Sequence, residues 1–197
     1  MRGLNQIWIY YFLGSFEQIM AINIRLLEQA ATRAAPSNLA KSLQEARMAR
    51  KRTAFLSHSH HDASKAKGLQ ILLAENGWDI FIDWEHNSLD ERPTKETAQW
   101  LQEAIVRADW LIYLATPNSQ KSRWCPWEIG YADGKKSAAS ILIVSTEDAN
   151  GTYGSEYLSL YKQISTTVNS GPLALFEAGN NSSGKYLKDV TTEPPRY

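Results

Sequence analysis

Between residues 53 and 146 the chain alternates short apolar runs with amphipathic stretches, and this alternation restricts the fold more than any other feature. Thr53–Ser57 (TAFLS), Trp78–Asp83 (WDIFID), Trp110–Thr116 (WLIYLAT) and Ser140–Thr146 (SILIVST) are apolar runs of strand length. Continuous rather than alternating apolarity is the mark of strands buried on both faces, as in a parallel sheet covered by helices. The stretches between them are helical. Ala63–Glu75 carries Ala66, Leu69, Leu72 and Leu73 as one apolar stripe and stops at Asn76-Gly77. Lys95–Ala108 and Ser122–Asp133 complete a βαβαβαβ order. Ligands of such sheets sit beyond the carboxyl ends of the strands. Four segments should therefore meet on one rim: 57–62, 83–90, 116–124 and the residues from 146 onward. After Asp148 the pattern weakens; Tyr157–Ile164 reads as a helix, Leu173–Phe176 as a strand and Glu193–Tyr197 as a frayed tail.

Charge divides the chain unevenly. The 21 Lys and Arg balance the 21 Asp and Glu overall, which argues against a nucleic-acid binder, because phosphate binding needs a positive excess. Residues 1–52 nevertheless hold eight basic and three acidic residues, and the remainder is net negative. The break sets expected boundaries of 1–52 for an N-terminal helical arm, 53–180 for the main domain and 181–197 for a tail. Within the arm, Ile19, Ile22, Leu26 and Ala30 recur at helical spacing. Ser37 or Asn38 could cap a second helix, Leu39–Arg50. Packing on the acidic body, self-association and membrane-surface binding are all open to such a pair. The apolar run Gln6–Phe16 is too short to span a bilayer, which takes about 20 residues, so no membrane span is expected. A single cysteine, Cys125, excludes an intramolecular disulfide and fits a reducing, cytoplasmic setting.

The absence of GxGxxG, GxxxxGK[ST] and GxSxG disfavours dinucleotide dehydrogenases, P-loop enzymes and α/β-hydrolases. His58, His60, His61 and Asp62 lie close together, but strand-end alternation splits the histidines. A polar loop with Ser59 or Asp62 capping the next helix is expected there, and no metal site. The stretch Trp124-Cys125-Pro126-Trp127-Glu128 is more informative. Pro126 fits only a first helical turn, and Ser122 is a plausible cap, which would put Glu128 in the second turn. Trp124 and Glu128 are then four apart, on one face at the ligand rim. An indole beside a carboxylate suits a pyridinium attached to ribose. The ring stacks, the carboxylate stabilises positive charge developing on the sugar, and nicotinamide leaves as a neutral group without a general acid. Read from spacing alone, the same residues also fit a core role for Trp124 and Trp127, with Glu128 as a solvated or capping residue.

Together these segments resemble a stand-alone bacterial Toll/interleukin-1 receptor (TIR) domain over about Thr53–Thr146. Phe55-Leu56-Ser57-His58-Ser59-His60-His61-Asp62 is similar to the family's F-[IL]-S-[YH]-S-x-x-D box. Asp83–Thr94 matches its long loop, and residues 124–128 match the WxxxE of members that cleave NAD+. The resemblance implies an α/β flavodoxin-like fold, a central parallel sheet flanked by helices, here with an N-terminal helical extension. It implies an NAD+ glycohydrolase or cyclase of antiphage defence, with NAD+ as substrate and no cofactor. Glu128 would be catalytic, and Trp124, Ser57, His58, Asp83 and Trp84 would bind substrate. The partners implied are other copies of the chain, through TIR–TIR contacts, and a separate effector reading the nucleotide product. Two other readings stand beside it: a non-catalytic TIR scaffold and an enzyme of nucleoside N-glycosidic bonds.

Overall fold

The computed structural model describes residues 20–37, 39–40, 42–83, 94–167, 171–180 and 183–193. The elements in chain order are β1 (Ile22–Asn23), α1 (Ile24–Ala31), α2 (Leu43–Met48), β2 (Arg52–Ser57), α3 (Ala63–Glu75), β3 (Ile80–Asp83), α4 (Lys95–Arg107) and β4 (Trp110–Leu114). There follow α5 (Pro117–Lys121), α6 (Cys125–Asp133), β5 (Ile141–Val144), β6 (Thr146–Asp148), β7 (Gly151–Tyr153), β8 (Lys162–Thr166), β9 (Leu173–Phe176) and β10 (Gly184–Tyr186).

Seven strands form the main sheet in the order β10-β9-β8-β5-β4-β2-β3. β3, β2, β4, β5 and β8 are parallel, β9 pairs antiparallel to β8, and β10 pairs antiparallel to β9 at the edge. The parallel part has the flavodoxin-like order 2-1-3-4-5, which reverses direction between β2 and β4. A crevice opens at such a switch point, beyond the strands' carboxyl ends. Side chains of period two divide the core between the sheet's faces. Ala54, Leu56, Ile112 and Val144 face α1 and α3, whereas Phe55, Leu111, Tyr113 and Ile143 face α4 and α6. Each fully buried aliphatic among them contributes about 1.5–3 kcal/mol.

Residues 20–31 of the basic N-terminal segment pack onto the domain. Asn23 caps α1 by accepting from Arg25 N, and Ile22, Leu27 and Ala30 are fully buried in the α1/α3 side of the core. β1 pairs with β6 in parallel, and Met20 bridges Thr166 of β8. At Gly68 of α3 a Cβ would stand 1.9 Å from the Leu27 carbonyl oxygen, so only glycine admits this closeness. The charge break at Arg52 is therefore not a break in packing. The second helix is shorter than Leu39–Arg50 and starts from Ser42, whose Oγ accepts from Glu45 N, instead of from Ser37 or Asn38.

Other expectations need correction. Tyr157–Ile164 is not a helix; a 3-10 turn at Glu156–Leu160 leads into strand β8. Thr116 does not end a strand but caps α5, with Ser119 completing a reciprocal capping box. The stretch after residue 180 joins the sheet as β10, Leu187 is buried, and the Thr192 carbonyl accepts from Trp110 Nε1 at 2.8 Å. The run Gln6–Phe16, the loop residues 84–93 and residues 194–197 lie outside the described residues. Among the described residues no helix is long and apolar enough to cross a membrane.

Candidate active site

Two elements deliver the site. β2 ends at Ser57, at the switch point, because the next residues are polar and the backbone leaves the ladder. α6 starts across the crevice. Ser122 Oγ accepts from the backbone N–H of both Trp124 and Cys125 at 3.2 Å, and Pro126 occupies the first turn. The hydroxyl supplies a partner for amides that a helix start leaves open. The helix begins at Cys125, so Glu128 falls in its first turn and not the second.

Ser57 Oγ donates to Glu128 Oε2 at 2.6 Å, and both residues are buried, at 0% and 6% exposure. Neither expectation of a solvated or capping carboxylate holds. Among the described residues no cation lies within ion-pair reach of Glu128. Burial accordingly pushes its carboxyl up to about 7, against a smaller downward pull from the Ser57 hydroxyl. A carboxylate held near neutrality in a crevice can hold or release a proton at working pH. Its surroundings are also desolvated. Burial pushes the Cys125 thiol up to about 12 and raises the Tyr113 phenol as well, with the Glu128 charge adding to both.

Trp124 precedes the helix, with its indole edge-on to Trp127 at 5.4 Å, and Trp127 stacks on Tyr131 at 5.6 Å. The Trp124 Nε1 is buried, with no hydrogen-bond partner among the described residues. His58 follows Ser57, and its Nδ1–H donates to the Leu56 carbonyl at 3.0 Å. Burial depresses its pKa, so the ring stays neutral in the neutral range. Asp83 closes β3, in register with Phe55 on the neighbouring strand. Trp84 lies outside the described residues.

Asp62 is the residue whose position the sequence reading missed. It makes no side-chain cap bond to α3; Ser59 Oγ caps the 3-10 turn before it. The Asp62 carboxylate is wholly buried and accepts from Thr116 Oγ1 at 2.6 Å, Asn118 Nδ2 at 2.9 Å and Lys65 Nζ at 2.9 Å. It thus joins the loop after β2 to the loop after β4 across the crevice. The neighbouring His60 and His61 rings lie 3.7 Å apart on the exposed side of that turn.

Residues 54–168 match the family described as TIR domain. A curated relative from Bacillus cereus (strain MSX-D12), named "Probable 3' cyclic ADP-D-ribose synthase ThsB'", is 40% identical over 121 residues. That alignment spans 59% of this chain and 63% of the relative, less than two thirds of the latter's length.

Proposed function

We propose, on the premise that this chain belongs to the TIR domain family, that it cleaves the nicotinamide–ribose bond of NAD+ and closes the remaining ADP-ribose into a cyclic signal. The observation that carries the reading is the buried Ser57–Glu128 pair at the switch point. The 40% identical relative's name supports the same chemistry and favours ring closure over simple hydrolysis.

The bond breaks with its electron pair going to the pyridinium nitrogen, so nicotinamide departs neutral. Positive charge develops on the anomeric carbon and its ring oxygen. An ionised Glu128 in a desolvated crevice stabilises that charge far more than it would in water. A hydroxyl of the same ADP-ribose then bonds to the anomeric carbon and gives up its proton. A carboxyl whose pKa stands at about 7 can accept it. If water enters instead, the product is linear ADP-ribose. Ser57 orients the carboxylate, Trp124 offers a ring face and an N–H beside it, and His58, Asp83 and Trp84 are assigned to the substrate-facing rim. The setting proposed is phage defence, with the nucleotide read by a separate effector and turnover in assemblies of the chain.

The test is incubation of the full chain with NAD+, following free nicotinamide and separating cyclic from linear ADP-ribose. Wild type should release both nicotinamide and a cyclic product, while E128A and E128Q release neither. Equal turnover by wild type and E128A would remove Glu128 from the mechanism. Turnover of nucleosides but not NAD+ would transfer the chain to nucleoside N-glycosidic chemistry, and a folded, inactive wild type in its assembled state would leave a scaffold.

A further inference from the structure

A cleft opens on the α4 side of the sheet, at the amino end of β2 and away from the rim that carries Glu128. Thr53 and Phe55 of β2 share a pleat face with Phe81 of β3, which is in register with Thr53. β3 is the edge strand, and α2 and α4 wall this corner from two sides. Space remains because of what α4 presents there. Trp100, Ala104 and the helix cap Ala108 recur every four residues on one face, so a large ring is followed by two methyl groups. The volume left is about 160 Å³.

Volume and charge together restrict the occupant. A cavity of roughly 150 Å³ accepts a benzene-sized molecule, whereas sites for larger ligands run to about 300–1,000 Å³. The walls are apolar: Phe55 is buried, and Leu43, Phe81 and Trp100 are half-buried. The charge around them has one sign. Arg47 stands one turn after Leu43 on α2, Arg107 one turn after Ala104 on α4, and both are exposed. None of the described residues lining the cleft is acidic. Asp109, just past α4, is already engaged. It accepts from the Thr53 amide at 2.8 Å and the Thr53 hydroxyl at 3.1 Å, with the Arg52 guanidinium at 3.5 Å. Arg107 meets Glu103 only at 3.9 Å, between two exposed side chains where water screens the pair.

We infer that this cleft binds a small aromatic monocarboxylate, with its ring between Phe81 and Trp100 and its carboxylate held by Arg47 and Arg107. The guanidinium fork matches the two oxygens of a carboxylate, and a bare ring leaves no polar group unpaired against the apolar walls. The site needs neither Glu128 nor NAD+, so it stands apart from the reaction proposed for the crevice.

Benzoate is the probe, titrated into the full chain and followed by calorimetry and by the indole N–H resonance of Trp100. It should bind saturably at one site. Benzyl alcohol keeps the ring without the charge, acetate the charge without the ring, and each should bind at least about tenfold more weakly. R47Q and R107Q, at exposed positions that leave the fold intact by circular dichroism, should each weaken benzoate at least about fivefold. A104L, which fills the cleft, should abolish binding; where it does not fold, the arginine variants decide. Saturating ADP-ribose should not displace the probe. Equal affinity for benzoate and benzyl alcohol, unchanged affinity in both arginine variants, or no saturable binding to folded wild type would each overturn the inference. Displacement by ADP-ribose would overturn it by placing benzoate in the crevice. A peptide carrying Phe-Asp that displaces benzoate at a hundredfold lower concentration would overturn it too, making the occupant a segment of another protein.

Discussion

Ser57 and Glu128 are 71 positions apart in the chain, yet the serine hydroxyl sits 2.6 Å from the glutamate Oε2. The contact joins the last residue of β2 to the first turn of α6. A hydroxyl, and not a cation, is the carboxylate's partner among the described residues. Compensation for burial is therefore partial, and the carboxyl stays near neutrality.

Replacing Ser57 should move the pH profile of turnover. The hydroxyl favours the ionised carboxyl, so in S57A the Glu128 pKa rises further above 7. A hydrogen bond to a charged group is worth about 1.5–3 kcal/mol, which corresponds to about one unit or more. The acidic limb of the nicotinamide-release profile should shift upward by that amount, with the alkaline plateau less affected. An unmoved limb would show that another group governs it.

Glu128 should reduce stability where it is ionised. Its folded pKa of about 7 lies above the unfolded value of 4.5, so the native state binds more protons between these pH values and stability falls as pH rises through them. E128Q keeps an acceptor for Ser57 and loses the penalty. Denaturant unfolding should find E128Q more stable than wild type by about 3 kcal/mol above pH 7, the gap closing towards pH 4.5. His58, with its depressed pKa, destabilises both proteins alike as pH falls below 6.5, and cancels in the comparison.

Asp62 should matter to the site more than to the fold. D62A leaves the buried Thr116 hydroxyl, Asn118 and Lys65 without their shared acceptor, at a cost of about 2–4 kcal/mol. The loops after β2 and β4 then lose this side-chain link, while Ser57–Glu128 still joins β2 to α6. At temperatures well below unfolding, nicotinamide release should fall by at least about tenfold. Preserved turnover in a destabilised D62A would show that the crevice keeps its shape without the link.

A methyl group at position 68 should unseat α1. The Cβ of G68A would stand 1.9 Å from the Leu27 carbonyl, backbone that cannot move aside cheaply. Overpacking of this kind costs about 1–3 kcal/mol. Hydrogen exchange should rise over residues 22–31 before it rises over β4 or β5, whose strands lie at the centre of the sheet. A uniform rise would mean that α1 and the sheet open as one unit.

The legible parts of the fold are those whose signal is local. β2, β4 and β5 announce themselves as apolar runs, and Trp124-x-x-x-Glu128 shares a helix start whatever the surroundings. The misread parts depend on distant partners. Leu158, Tyr161 and Ile164 are spaced like a helix face, but Tyr161 is extended and Ile164 lies in β8, paired to β5 and β9. α5 has no apolar stripe; it exists because Thr116 and Ser119 cap one another. Asp62 reads as a helix cap because two of its three partners, Thr116 and Asn118, lie 54 and 56 residues away. The spacing puts Glu128 at the helix start, beside the end of β2, but its burial comes from packing that no spacing encodes.

β1 and α1 pack like a ligand tethered to the domain it completes. Ile22, Leu27 and Ala30 fill a groove over α3, Ser165 and Thr166 grip the Met20 carbonyl, and Lys65 faces both Glu28 of this segment and Asp62 at the crevice. The described residues between α1 and α2 have no regular secondary structure. A single protease cut there would turn the segment into a detachable peptide, and a synthetic copy added in trans could take its place. One scission outside the crevice would thus set how firmly Lys65, and through it Asp62, is held.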